Sequence, residues 1–363
     1  MSAEPKSPQF WIRPEIQALS AYHVPDPGSR IKLDAMENPY PWPAPLVDAW
    51  LEVLRDVELN RYPDPGARAL SKRLREAMQV PDSAQIVLGN GSDELIQMLA
   101  LAVAQPGRVL LSPDPTFVMY RVIADVTGLG YQGVPLTDDF LLDLDAMLQA
   151  IDQHQPAIVF LACPNNPTGT LFNSADIEAV IKHSPGLVVV DEAYAPFTDA
   201  SFMSRLDEFP NLLVLRTVSK MGLAGLRLGL LAGSPDWLGE IDKTRLPYNI
   251  NVLTQASAVF ALEHKAMLDE QAGLIRAERS RLLDALSGFD GVTAYPSEAN
   301  FVLFRVAEGT ADAVFMALRE QGVLIKNLNP AAGRLQDCLR VTVGTPDENT
   351  QFLTALGKAL RSK

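Results

Sequence analysis

The run Arg216-Thr-Val-Ser219-Lys220-Met-Gly-Leu-Ala-Gly-Leu-Arg227 places a lysine in a turn of small residues beside an apolar stretch. In water a lysine amine titrates near about 10.4 and offers almost no free base at neutral pH. A site that lowers this value opens Schiff-base chemistry, whereas a lone lysine reads as surface charge. Val190-Asp191-Glu192-Ala193-Tyr194 closes another apolar run on a carboxylate. That position is costly for a charge without a cationic partner, unless Asp191 is simply the wet end of a strand. In Cys163-Pro-Asn-Asn-Pro-Thr-Gly169 an Asn held before a proline can present its amide to a ligand, although a Pro-rich turn needs no function. Ile86-Val-Leu-Gly-Asn-Gly-Ser-Asp-Glu94 puts small residues between a strand and a helix. Ser92 or Asp93 could cap that helix, and its outward N–H groups suit an anion; cap and turn alone fit equally. The dinucleotide fingerprint would need glycine where Glu94 stands, so a single phosphate is the expected anion.

These segments all follow predicted strands, where open α/β sheets place their ligands. From Pro41 onward the apolar pattern predicts βα units over a largely parallel sheet. Helices are expected over Leu46 to Val57 and Ala67 to Met78, with the turn Arg61 to Gly66 between them. Short continuous apolar runs predict buried strands at Ile86 to Gly89, Arg108 to Ser112, Ala157 to Ala162, Leu187 to Asp191, Asn211 to Thr217 and Leu226 to Gly233. Asp93 to Ala104, Ser174 to His183 and Pro235 to Arg245 are amphipathic. A long helical pattern runs from Pro247 to Ser287, with an interruption near Ala272 and Gly273 read as the passage between domains. Strands at Ala299 to Val306 and Leu339 to Gly344, a helix near Ala311 to Gln321 and a last helix from Pro346 predict a smaller α+β unit.

The 363 residues carry 47% hydrophobic and 21% charged side chains, within the globular range, and no apolar run reaches membrane-spanning length. A formal charge of −13 argues against nucleic acid as a partner. Cys163 and Cys338 are far apart and the four histidines are scattered, so neither a disulfide framework nor a metal site is signalled. The start MSAEPKSPQFW has no basic region followed by an apolar one. A cytoplasmic, metal-independent chain is expected.

In order along the chain, GNGSDE, PTF, PNNPTG, DEAY, SK and LAGLR resemble the motifs of the fold-type I pyridoxal-phosphate aminotransferases, and within them the histidinol-phosphate aminotransferases. Asp34 to Tyr40, the turn Arg61 to Gly66, Asn300 to Arg305 and Cys338 to Asn349 extend the resemblance over nearly the whole chain. It implies an α/β fold in three parts: an arm, residues 1–40, joining the small domain; a large pyridoxal-phosphate-binding domain, 41–270, with a mostly parallel sheet flanked by helices; and a small α+β domain, 271–363.

The resemblance also assigns roles. Lys220 would carry pyridoxal 5′-phosphate as an aldimine and then shuttle the proton. Asp191 would pair with the pyridinium nitrogen, Tyr194 and Asn166 with the phenolate oxygen, and Phe117 would stack on the ring. The phosphate would lie at Ser92 and Asp93, Thr217, Ser219 and Arg227, joined by Tyr62 from the other subunit of a homodimer. Arg340 would receive the anionic group of the substrate, with Lys326, Asn38, Tyr22 and Asn300 as further contacts. Two departures stand out. The spacing from Lys220 to Arg227 is one residue shorter than in many relatives, and Lys326 stands where many carry an arginine. The implied reaction is amino transfer between histidinol phosphate with 2-oxoglutarate and imidazole-acetol phosphate with glutamate, in histidine biosynthesis. An aromatic amino-acid aminotransferase and an amino-acid-phosphate decarboxylase are the rivals of the same fold.

Overall fold

The computed structural model describes residues 7–21 and 25–361. Its strands are β1 (Ile31–Lys32), β2 (Gln85–Gly89), β3 (Val109–Asp114), β4 (Gly130–Pro135), β5 (Ile158–Ala162), β6 (Leu187–Asp191), β7 (Leu212–Thr217), β8 (Gly229–Gly233), β9 (Thr293–Ala294), β10 (Phe301–Arg305), β11 (Val323–Leu324), β12 (Lys326–Asn327) and β13 (Cys338–Thr342). The first large sheet has the order β2-β8-β7-β6-β5-β3-β4. Only β8 runs against its neighbours, so the sheet is otherwise parallel. Alternation along the strands gives two faces. Val159 and Leu161 of β5 with Val188 and Val190 of β6 enter one core. Ile158 and Phe160 with Leu187 and Val189 enter the other. Helices such as Ser92–Val103 and Ser174–His183 cover these faces, which is why the central strands read as unbroken apolar runs.

β4 escapes that reading. Its sequence, Gly-Tyr-Gln-Gly-Val-Pro, has no apolar run, and it lies at the sheet edge, where only one neighbour has to be matched.

A second, antiparallel sheet has the order β12-β13-β10-β9, while β1 pairs in parallel with β11. Phe301, Phe304, Val341 and Phe352 form its core, together with Leu33 from the early chain and Ile275 and Leu282 from the long helix Lys265–Ser287. That helix runs unbroken through Ala272 and Gly273, and the interruption lies instead at His264, after the helix Val252–Glu263. One interior glycine costs a helix only about 1 kcal/mol. Burial of Leu268, Ile275 and Leu282, seven residues apart on one face, outweighs it.

Candidate active site

Chain ends of the first sheet converge at one edge. Ala162 of β5 pairs with Asp191 of β6, Thr217 of β7 with Gly229 of β8, and Gly229 with Gly89 of β2. A cavity of about 410 Å³ opens there. Its wall carries Ser92, Asp93, Phe117, Asn166, Asp191, Tyr194, Thr217, Ser219, Lys220 and Arg227, so of the eleven side chains assigned to the cofactor from sequence only Tyr62 is elsewhere.

One end of the cavity is built for an anion. The helix begins at Ser92 with Gly91 as its N-cap, so neither Ser92 nor Asp93 caps it as expected; both sit in the first turn, where N–H groups lack intrahelical partners. Gly91 holds φ +81°, and a Cβ there would stand 2.6 Å from Arg227 Nη2. Glycine is therefore what lets the guanidinium lie across the helix end. Two 3₁₀ turns, Ser219–Met221 and Ala224–Leu226, take up the short spacing, and Arg227 follows in left-handed backbone, φ +49°. The result aims Arg227 at Asp93, Nη2 to Oδ2 3.5 Å. Thr217 and Ser219 complete the rim through a 2.8 Å hydroxyl contact.

At the other end Asp191 is buried, which pushes its carboxyl up to about 6. Donors from Tyr120 Oη, 2.6 Å, and the Ala193 N–H, 3.0 Å, pull the opposite way. Below it, Glu192 accepts from Arg216 Nε and Nη2 at 2.9 and 2.7 Å and bolts β6 to β7. Removing one partner of such a buried pair strands the other charge. Arg216→Met is expected to lower unfolding free energy by about 3–5 kcal/mol, read from a denaturant midpoint; an unchanged midpoint would show the pair to be dispensable.

Lys220 reaches between these ends, its Nζ 5.7 Å from the centre of the Tyr194 ring. Burial lowers its amine to about 8, and the positive charges of Arg340 and Arg227 push in the same direction. Tyr194 is buried, its phenol raised by burial, and it hydrogen-bonds Asn166. Arg340 of β13 bridges the two sheets: Nη1 donates to Asn166 Oδ1 and Nη2 to the Asp34 carbonyl at 3.0 Å. Lys326 is its direct partner across β12 and β13, so both side chains leave the same face of the sheet.

None of the described substrate candidates is itself on the cavity wall: Arg340 touches it through Asn166, and Lys326, Asn38 and Asn300 lie behind or beside it. The Asn38 amide donates to Gln271 Oε1 at 3.0 Å and to the Met221 carbonyl, bracing the turn that carries Lys220. Asn300 is fully buried and donates to the Met36 carbonyl at 3.0 Å; with Thr342 Oγ1, which accepts from Met36 N–H, it pins a left-handed residue, φ +53°, between Ala35 and Glu37 on the wall. Tyr62 is 80% exposed and stacks on Tyr248 at 4.5 Å. Tyr22 lies outside the described residues.

Sequence reasoning passed over Tyr120, Glu37 and Asn165. Tyr120 lies three residues beyond Phe117, which precedes the helix Met119–Thr127, and its N–H donates to the Phe117 carbonyl at 3.1 Å. Glu37 is on the cavity wall, paired with Lys32 at 2.5 Å. Asn165, fully buried, accepts from Thr116 Oγ1 at 2.7 Å and donates to the Pro115 carbonyl at 3.0 Å, tying the Phe117 segment to the Asn166 turn.

The family model for aminotransferase class I and II matches residues 29–356. The chain belongs to that family. Within it, the chain is 60% identical over 346 residues to histidinol-phosphate aminotransferase 2 of Nitrosococcus oceani, covering 95% of this chain and 96% of the relative. It is 55% identical over 355 residues to histidinol-phosphate aminotransferase 2 of Cupriavidus pinatubonensis, covering 96% of each. Among solved structures, histidinol-phosphate aminotransferase of Sinorhizobium meliloti in complex with pyridoxal-5′-phosphate superposes with a TM-score of 0.87, at 24% identity over 99% of this chain and 100% of that one. At that identity the likeness speaks for the fold. The aminotransferase fold and the converging strand ends thus agree, and among the described residues no helix is long and apolar enough to cross a membrane.

Proposed function

We propose that this aminotransferase uses pyridoxal 5′-phosphate to move an amino group from L-histidinol phosphate to 2-oxoglutarate, by a ping-pong route in the cytoplasm. The observation that carries the reading is the meeting in one cavity of a lysine amine, a buried carboxylate and a helix-end anion cradle. These three fit the cofactor. The helix end at Ser92 and Asp93, the hydroxyls of Thr217 and Ser219 and the Arg227 guanidinium would hold its phosphate. Asp191 would face its ring nitrogen, Phe117 its plane, and Tyr194 and Asn166 its phenolate oxygen. When bound, pyridoxal 5′-phosphate supplies an electron-accepting ring that makes the C–H beside the substrate's amino group acidic.

The chain's own residues do the rest. Lys220, its amine held near about 8, takes that proton and returns it later in the cycle. Asp191 keeps a proton on the ring nitrogen by remaining ionised beside it. Arg340 offers a guanidinium to the anionic end of either substrate, carboxylate or phosphate, and so lets one pocket serve both halves of the exchange. Lys326, on the same face, adds positive charge but no planar fork. The high identity to relatives named histidinol-phosphate aminotransferase supports phosphate as that end.

The same reading gives a large domain over 41–270, a small domain over 271–363 joined by the arm 1–40, and a homodimer in which Tyr62 reaches the partner's phosphate cradle. The exposure of Tyr62 supports this last element. Its test is to mix Tyr62→Phe subunits with Lys220→Ala subunits, since only a shared site yields hybrids whose activity depends on which residues meet.

The substrate is tested by single-turnover addition of histidinol phosphate or phenylalanine to the holoenzyme without any keto acid. Bleaching of the visible cofactor band is expected to be at least about tenfold faster with histidinol phosphate, with imidazole-acetol phosphate as product. Faster reaction with phenylalanine would replace this reading by an aromatic aminotransferase, and release of CO2 from an amino-acid phosphate by a decarboxylase.

A further inference from the structure

Tyr120 is wholly buried at the start of the helix Met119–Thr127, and the reaction as described makes no use of it. Its surroundings are apolar: the ring stacks on Phe160 at 4.5 Å and stands edge-on to Phe117 at 5.5 Å. Phenylalanine would fill the same space. A buried hydroxyl is costly unless it is hydrogen-bonded, and this one donates to Asp191 Oδ2 at 2.6 Å. One side chain therefore touches both the carboxylate assigned to the ring nitrogen and the aromatic group assigned to the ring face.

We propose that Tyr120 is a positioning residue of the cofactor site, acting through Asp191, whose carboxylate it orients and keeps anionic, and bracing Phe117 from behind. This inference rests on the assignment of pyridoxal 5′-phosphate to the cavity. Besides burial, three titratable groups bear directly on Asp191. Asp93 and Glu192, both acidic, disfavour its ionised form, and Tyr120 favours it by hydrogen bonding. Tyr194 feels the Asp191 charge in turn, and Lys220 lines the same cavity. The phenol of Tyr120 is pushed well above its ordinary range, first by burial and then by Asp191, so it stays a donor throughout the working pH range. Without the hydroxyl, Asp191 keeps only the Ala193 N–H and its carboxyl shifts upward, toward the neutral form. The ring nitrogen then loses its ionic partner as pH falls.

The test uses the full-length chain, stripped of cofactor and titrated with pyridoxal 5′-phosphate across a range of pH. Tyr120→Phe is expected to raise the dissociation constant about tenfold near neutral pH. The gap should widen as pH is lowered, while the melting temperature of the cofactor-free chain stays close to that of the parent. In an Asp191→Asn background the same change should alter the constant by less than about twofold, because the two side chains act as one unit. Two outcomes overturn the inference: an unchanged constant with an unchanged pH profile, or an effect of full size in the Asp191→Asn background, which would mark a packing role. If the parent chain itself takes up no pyridoxal 5′-phosphate, the cofactor assignment falls and this inference with it. Uptake by the parent together with either of the first two results removes the inference alone.

Discussion

Replacing Lys220 by alanine is expected to lower kcat by at least about 10⁴-fold, the upper range for a positioned acid–base group. Among the described residues Lys220 is the single lysine on the cavity wall, and the proposed reaction asks it both to hold the cofactor and to carry the proton. Its amine is prepared by burial and by the cations Arg340 and Arg227, which together bring it to about 8. Two pH effects follow. The parent, freed of cofactor, should capture pyridoxal 5′-phosphate faster as pH rises through about 8, because the free amine is the reactive form; the alanine variant should show no such rise. Stability should move in the same direction. A lysine whose folded value is depressed binds fewer protons folded than unfolded, so its burial cost is greatest below about 8 and fades toward 10.5. Lys220→Ala should therefore be at least as stable as the parent at neutral pH, which separates lost chemistry from a lost fold. Stopped-flow absorbance, steady-state assay and thermal melting measure these three outcomes. Normal turnover by the variant would end the assignment of Lys220.

The ease of reading this chain varied with how local the physics was. The central strands announce themselves because both of their faces are buried, and the strand-end motifs because glycine, proline or a charged residue follows each apolar run. That was enough to assemble ten of the eleven proposed cofactor side chains on one wall. Long-range partners were not legible. Nothing near Tyr120 in sequence indicates that its hydroxyl meets a carboxylate seventy-one residues away. Asn38 and Asn300 read as polar groups available to a substrate, but each braces a turn that lines the cavity, a use set by tertiary packing alone. The helix through Gly273 shows the same principle in reverse, with distant apolar partners overriding a local breaker. The Lys220 to Arg227 spacing was visible, but its resolution through two 3₁₀ turns and a left-handed arginine depends on Gly91 leaving room across the cavity.

Substitution of Arg340 by glutamine should reduce kcat/KM by about 10²–10³-fold for both the phosphorylated substrate and glutamate, whereas Lys326→Met should reduce it about tenfold for the phosphorylated substrate alone. The difference comes from geometry. Arg340 is almost fully buried, held by Asn166 and the Asp34 carbonyl and packed with its guanidinium 5.1 Å from the Phe301 ring centre. A group so fixed presents a preset fork, and a carboxylate or a phosphate can use it equally. Lys326, directly opposite in the strand pair and partly exposed, supplies a mobile point charge, of most use to the dianion. Arg340→Gln carries a second signature. Arg340 is one of the cations that lower the Lys220 amine, so its removal should raise that amine above about 8 and move the alkaline rise in cofactor capture to higher pH. Half-reaction kinetics with each substrate, run beside the capture profile, separate the two roles. Equal losses for both substrates in Lys326→Met would show that the lysine does not read the phosphate. An unshifted capture profile in Arg340→Gln would show that burial alone sets the Lys220 amine.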